Sequence, residues 1–346
     1  MTKKLDFSLL KTITELPGVS GREGMVSNHL KKMLSPYADT VREDALGNLI
    51  LTKKGTSGKN LILCAHMDEV GLMVSFIDER GFLRFVTVGG IDPRTLLAQR
   101  VHVQTQNGPL LGIIGTKPAH VTTEAERSKA VPLKDLFIDV GMPAEEVKKQ
   151  VTVGDFAVLD RPYQEFGDGL VSAKALDNRA GAFIQAEIFK QLKNPYYTVH
   201  AVFTVQEEVG VRGATTAAFG LEGDVCLCLD TTGAADIPGV LPQDYIVRVG
   251  GGVGVSALDA RTITPKPLLD ALVRLCDNHR IAYQIRIAQR GGNDAGAVHL
   301  SKTGVISCAL SLPTRNIHSN VEVCSKKDMQ AMADLTLLCA QKGIPF

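Results

Sequence analysis

Asn60-Leu61-Ile62-Leu63-Cys64-Ala65-His66-Met67-Asp68-Glu69 is the stretch around which the rest of the chain can be ordered. Its apolar run is too short for a buried helix and is bounded by polar residues, as a central strand covered on both faces would be. The run stops at a histidine and two carboxylates. In an open parallel sheet a ligand sits beyond the carboxyl ends of the strands, so the residues that follow each other apolar run decide what the chain can do. Thr198–Val205 is followed by Gln206-Glu207-Glu208, Val225–Leu229 by Asp230, and Gly304–Leu312, after a short loop, by His318. Asp177 stands at the head of a helical pattern that runs through Ala182–Leu192.

Working outward, the chain begins helix, turn, helix. Pro17-Gly18 is the turn, and Ser20 with Glu23 three residues later reads as a capping box opening a helix with Met25, Val26, His29, Leu30, Met33 and Leu34 on one stripe. Asn48–Thr52 reads as another strand. Near the other end a helical pattern at Leu268–Cys276, a strand at Ile281–Ile287 and a last helix opened by Ser325 and Asp328 continue the rhythm. This alternation predicts an α/β fold, with a mostly parallel sheet flanked by helices.

Between residues 71 and 163 the texture changes. Short alternating runs at Phe82–Val88, Arg100–Gln104, Leu110–Ile114, Leu136–Val140 and Phe156–Leu159 have no strong helical pattern between them, and Asn107-Gly108 is a hairpin signal because both residues tolerate positive φ. The expected organisation is a main domain from 1–70 and 164–346 interrupted by a small β-rich domain at 71–163. That insert has apolar runs such as Leu110-Leu111-Gly112-Ile113-Ile114 and is small for a free-standing domain with exposed strand edges. A partner subunit would cover them.

Composition narrows the function. The chain has 346 residues, 45% of them apolar and 22% charged, which is enough to bury a full core and rules out disorder. A formal charge of +1 leaves no global field for nucleic acid or an anionic membrane, so neither is expected as a partner. No apolar run approaches the roughly 18 residues needed to span a bilayer. Cys226 and Cys228, spaced as one face of a strand, do not make a zinc knuckle, and an odd count of seven cysteines suits a reduced, cytoplasmic protein.

Taken singly, each strand-end residue has a plain reading. His66 or His318 could be ordinary core or surface histidines, Asp177 a helix N-cap, Glu207-Glu208 solvated charge, and Asp230 a turn cap. Five independent ends supplying imidazoles and carboxylates are hard to obtain by chance, and together they suit zinc, cobalt or manganese. Adjacent Glu207 and Glu208 point apart on an extended backbone, so one could bind metal while the other moves a proton. Asp68 is spaced to return toward His66 and orient its ring. Gly250-Gly251-Gly252-Val253-Gly254 lacks the Lys-Ser/Thr ending of a phosphate loop and reads as a flexible pocket wall, and His120 as a loop residue.

Three segments carry a family likeness: Ala65-His66-Met67-Asp68-Glu69-Val70-Gly71, Ala175-Leu176-Asp177-Asn178-Arg179-Ala180-Gly181 and Glu207-Glu208-Val209-Gly210-Val211-Arg212-Gly213-Ala214. With Leu229-Asp230, Asp294-Ala295-Gly296-Ala297 and Ile317-His318-Ser319 in the same order, the chain resembles the tetrahedral (TET) aminopeptidases, the group of the glutamyl aminopeptidase and FrvX-like proteins. The resemblance implies two divalent metal ions per chain, zinc first and cobalt or manganese as alternatives, bridged by Asp177. His66 and Asp230 would complete one ion, Glu208 and His318 the other, with Glu207 as general base. It implies removal of N-terminal residues from short peptides by a two-metal-activated water, and a homo-oligomer, a dodecamer built from dimers through the inserted domain. Asn293 and Asn316 depart from the family's usual Thr and Tyr, around the substrate pocket rather than among the ligands. Competing readings are a metal-dependent deacylase or carboxypeptidase on the same fold, and a peptide-binding relative without catalysis.

Overall fold

The computed structural model describes residues 2–346, and in it the opening stretch sends alternate side chains to opposite faces. Leu61, Leu63 and Ala65 enter one apolar core and Ile62 and Cys64 another, as the two-residue period of a strand requires. The same division recurs at Val225, Leu227 and Leu229 against Cys226 and Cys228.

Helices α1 (Ser8–Glu15) and α2 (Gly24–Leu34) lead into strands β1 (Thr40–Glu43), β2 (Leu49–Lys53) and β3 (Asn60–His66). The chain then runs through β4 (Gly71–Ile77), β5 (Leu83–Val88), β6 (Arg100–Thr105), β7 (Gly108–Gly115), α3 (Glu124–Arg127), β8 (Phe137–Asp139), α4 (Ala144–Gln150) and β9 (Phe156–Leu159). It returns by β10 (Gln164–Phe166) and β11 (Leu170–Ala173) to α5 (Leu176–Phe189), β12 (Thr198–Thr204), α6 (Arg212–Phe219) and β13 (Val225–Gly233). The remainder is β14 (Val253–Leu258), α7 (Lys266–His279), β15 (Tyr283–Ile287), α8 (Ala295–Val298), β16 (Ile306–Arg315), β17 (Glu322–Ser325) and α9 (Lys326–Lys342).

The large sheet has the order β1-β2-β12-β3-β13-β16-β17-β11-β10, with β14 also on β16 and β15 outside it. Its centre, β12, β3, β13 and β16, is parallel. Around that centre the pairs β1·β2, β2·β12, β10·β11, β11·β17, β16·β17 and β14·β16 are antiparallel. The sheet is therefore mixed, which corrects the mostly parallel sheet expected above. Antiparallel neighbours need only a short loop, and β10, β11 and β17 are three- or four-residue strands that leave little trace in a helix–strand rhythm. Among the described residues no helix is long and apolar enough to cross a membrane.

Strands β4 to β9 close on themselves as a barrel in the order β4-β5-β8-β7-β6-β9, filled by Leu72, Val74, Leu83, Val101, Val103, Ile114, Ile138 and Ala157. The β6–β7 turn is Gln106-Asn107, one residue before the expected Asn107-Gly108, and Gly108, with φ +109°, pairs with Thr105. Closure pairs every barrel strand on both sides, so the free edges expected of this region are absent. A separate small cluster, Val19, Phe156 and Val158, joins the barrel to the loop before α2.

Candidate metal centre

The parallel centre of the sheet brings its carboxyl ends to one edge, and the candidate residues meet there. His66 ends β3, Asp230 lies near the end of β13, Glu207 and Glu208 follow β12, His318 follows β16, and Asp177 lies at the start of α5. Two donor groups form, His66–Asp177–Asp230 and Asp177–Glu208–His318. Asp177 belongs to both: its Oδ1 lies 3.2 Å from His66 Nε2 and its Oδ2 3.3 Å from His318 Nε2. His66 Nε2 is 3.6 Å from Asp230 Oδ1, and His318 Nε2 is 3.3 Å from Glu208 Oε2. Glu207 stands beside the first group with Oε2 4.0 Å from His66 Nε2, and belongs to neither group.

Around Asp177, the Glu207-Glu208 pair and His318 the backbone departs from regular structure. Asp177 and Asn178 are non-helical within α5, and the peptide between them is cis. Gln206 and His318 are left-handed, at φ 55° and 59°, a conformation uncommon outside glycine. Strand alternation does not set how Glu207 and Glu208 point, because β12 ends at Thr204 and Glu208 opens a turn, yet Glu207 faces His66 and Glu208 faces His318. Asp68 shapes that turn: its Oδ1 accepts Glu207 N (3.0 Å) and its Oδ2 accepts Glu208 N (3.1 Å) and the Ser20 hydroxyl (2.6 Å). His66 Nδ1 meets the Asp68 backbone oxygen at 3.2 Å and its Oδ1 at 3.4 Å.

The electrostatics of this edge favour a bound cation. Burial pushes Glu207 upward, Glu208 up to about 8 with the Asp177 charge adding to it, and Asp230 and Glu322 upward as well. Against the cost of burial, bonds from His318 and His66 hold Asp177 well below the carboxylate range. His318 likewise resists burial and rises to about 10, through Asp177 and the Glu208 charge. Glu208 Oε1 is buried with no hydrogen-bond partner, an orphan acceptor of the kind metal coordination satisfies. Tetrahedral ligands about 2.1 Å from zinc stand about 3.4 Å from one another, and the donor separations of 3.2 to 3.6 Å match that edge. The donors therefore fit a pair of divalent ions sharing Asp177.

Several residues at this edge escaped the sequence reading. Ser20 and Glu23 are not a capping box: α2 has no side-chain cap, Ser20 bonds to Asp68, and Glu23 Oε1 accepts Gly21 N and Gln206 N. Met25, expected on the apolar stripe, is exposed. Glu322 accepts from the backbone of both Asp177 and His318. Asp294 accepts from Thr204, and burial pushes it up to about 7. The glycine run is tied down rather than flexible, since Asp328 accepts Gly250 N (2.6 Å) and Gly252 N (2.8 Å). His120 lies in an exposed loop of the barrel region. Asn293 bonds to Asp259, and left-handed Asn316 donates to the Val321 backbone oxygen.

Residues 47–335 match the family described as M42 glutamyl aminopeptidase. The chain is 32% identical to lysyl aminopeptidase of Pyrococcus furiosus over 336 residues, covering 94% of each. Its fold matches an aminopeptidase from the archaeon Desulfurococcus kamchatkensis with a TM-score of 0.94 at 37% identity, over 98% of this chain and 95% of that one. It also matches a TET1 peptidase of Pyrococcus horikoshii, described as assembling into a tetrahedron or a large octahedral shell, with a TM-score of 0.87 at 33% identity over 96% and 98% of the two chains.

Proposed function

This chain belongs to the M42 glutamyl aminopeptidase family and is an aminopeptidase, and from that premise we propose that it removes N-terminal residues from short peptides with two divalent ions held by His66, Asp177, Glu208, Asp230 and His318. The observation that carries the reading is Asp177, whose two carboxylate oxygens face two different histidines. Bound there, zinc or a similar ion would polarise the scissile carbonyl and lower the pKa of water toward about 7. Glu207 would take the proton from the attacking water and deliver it to the departing peptide nitrogen, a role supported by its standing beside His66 and outside both donor groups. Asp68 keeps Glu207 and Glu208 in register and fixes the outward-facing nitrogen of His66.

The same reading takes residues 71–163 as an assembly domain and 1–70 with 164–346 as the catalytic one, in a homo-oligomer, a dodecamer built from dimers. Support comes from the outer wall of the barrel rather than from strand edges, since Phe76, Val86, Leu111 and Ile113 are apolar and exposed there. A cytoplasmic location is supported by seven cysteines that are all free and buried.

The test is metal analysis of the purified protein with turnover of aminoacyl reporters, free and N-blocked, before and after chelation. Two ions per chain, with activity on free amines alone that chelation removes, is the expected result. Activity that survives chelation, or equal cleavage of N-blocked substrates, overturns it. Light scattering at micromolar concentration should show a dodecamer; a monodisperse monomer removes the assembly.

A further inference from the structure

Glu322 lies outside the candidate donor set yet bonds to two members of it. It is the first residue of β17, paired with Ala173 of β11, and 1% of it is exposed. Its two carboxylate oxygens accept from the main chain of different segments: Oε2 from Asp177 N at 2.8 Å and Oε1 from His318 N at 2.7 Å. Lys174, buried next to Ala173, is engaged by Glu69 at 2.8 Å instead. A carboxylate buried without a paired cation is costly, but an apolar side chain would leave both N–H groups unsatisfied and an amide offers only one acceptor oxygen. A glutamate here offers two acceptors in one rigid plane.

Both amides belong to residues whose backbone regular structure does not hold. His318 is left-handed in the loop between β16 and β17, and Asp177 sits at φ −80°, ψ 106° inside the run assigned to α5. Tying the two N–H groups to one carboxylate sets their approach, and with it the 3.3 Å between Asp177 Oδ2 and His318 Nε2. The other histidine needs no such tie, because His66 is paired in register with Thr204 across β3·β12. We infer that Glu322 is a positioning residue that sets the spacing of the Asp177–Glu208–His318 group, and so the affinity of that half of the site for a divalent cation separately from the His66–Asp177–Asp230 half. The inference rests on the two-ion reading proposed above.

Chelator-stripped protein titrated calorimetrically with zinc, with a competing chelator to resolve tight events, gives the test. The unaltered chain should take up two ions in two events. Glu322→Gln replaces one acceptor with a donor that faces an N–H, and should weaken one event by about 10- to 100-fold, the range for a group that orients a metal ligand, while leaving the other little changed. The zinc concentration needed for peptidase activity should rise by the same factor. Glu322→Asp keeps the charge, reaches one amide at a time, and should fall between. Equal weakening of both events with a collapsed melting temperature would mean a purely structural role, and unchanged events would mean none; either overturns the inference. If Glu322→Gln does not fold, Glu322→Asp decides alone, wild-type affinity at both events being the overturning result. Fewer than two ions in the unaltered chain overturns the two-ion reading itself, whatever the variants do.

Discussion

The two donor groups share Asp177 and otherwise differ in how the fold holds them. His66 ends a central strand paired along its whole length with β12, its side chain 2% exposed, while His318 stands on a left-handed loop with its side chain 35% exposed. One half of the site is built from strand ends that the core of the sheet already fixes. The other is built from loops and turns, and is fixed by buried carboxylates that bind their backbone amides. Rigidity in the first half comes with the fold. In the second half it has to be added, and it is added on the side where the donor His318 is more exposed.

The most severe way to break this comparison is to remove the residue the halves share. Asp177→Ala should leave fewer than one tightly bound ion per chain and no turnover above background, read by metal analysis and aminoacyl reporters; a variant that still holds two ions would mean the bridge is elsewhere. Glu207→Gln should separate chemistry from binding, with turnover down about 10²- to 10⁴-fold and both ions retained, and loss of an ion would put Glu207 among the ligands. The exposure difference predicts that a chelator removes the two ions in two phases, the His318 side at least about tenfold faster, since an exposed ligand is more readily reached. A single phase would mean that the halves open together.

A smaller effect follows from the charges. In the metal-free chain Glu208 at about 8, Asp294 at about 7 and His318 at about 10 all lie above their unfolded values, so the folded state holds extra protons. The stability these groups contribute is full below the unfolded values and is lost as pH rises through the folded ones. Asp177 and Asp68, which are lowered, act in the opposite sense only below about pH 4. The stripped chain should therefore melt a few degrees lower at pH 8 than at pH 6, the loaded chain should not, and zinc uptake should release protons. The smallest change is Gly89→Ala. Gly89 has φ +83°, and a Cβ there would come within 2.8 Å of Val70 and 3.2 Å of Glu208. A cost of about 1 to 2 kcal/mol should show as a lower melting temperature and a slightly weaker His318-side ion, with the His66 side unmoved.

The candidate ligands were legible because each follows an apolar run long enough to recognise, and a sheet with parallel central strands gathers such ends by geometry. Their supports were not. Ser20 and Glu23 carry the spacing of a helix cap, and only the packed structure shows them turned instead toward Asp68 and Gln206. Glu322 sits in Asn320-Val321-Glu322-Val323-Cys324, an ordinary strand alternation except that the charged residue is the one facing inward. The mixed sheet escapes a helix–strand rhythm for a related reason, since β10 to β11 and β16 to β17 are joined by short loops that carry no crossover helix. The barrel's strands were visible as alternating runs, but its closure depends on β9 pairing with both β4 and β6, a long-range contact that no local pattern records.

That closure also sets what the chain would lose if the barrel were cut out. Because β4 and β9 are hydrogen-bonded neighbours, the polypeptide leaves the sheet after β3 and comes back toward β10 from adjacent points, so the barrel is a cassette bounded by two nearby cuts. A short linker from Val70 to Asp160 would bridge the gap without disturbing the order of the large sheet. The excision would not be silent. It would remove Gly90, where a Cβ would lie 3.4 Å from His318 Nδ1, and the 2.8 Å bond from Asn320 to Gln99. Excision would thus leave the strand-end half of the candidate site without these losses and strip part of the wall around the loop half.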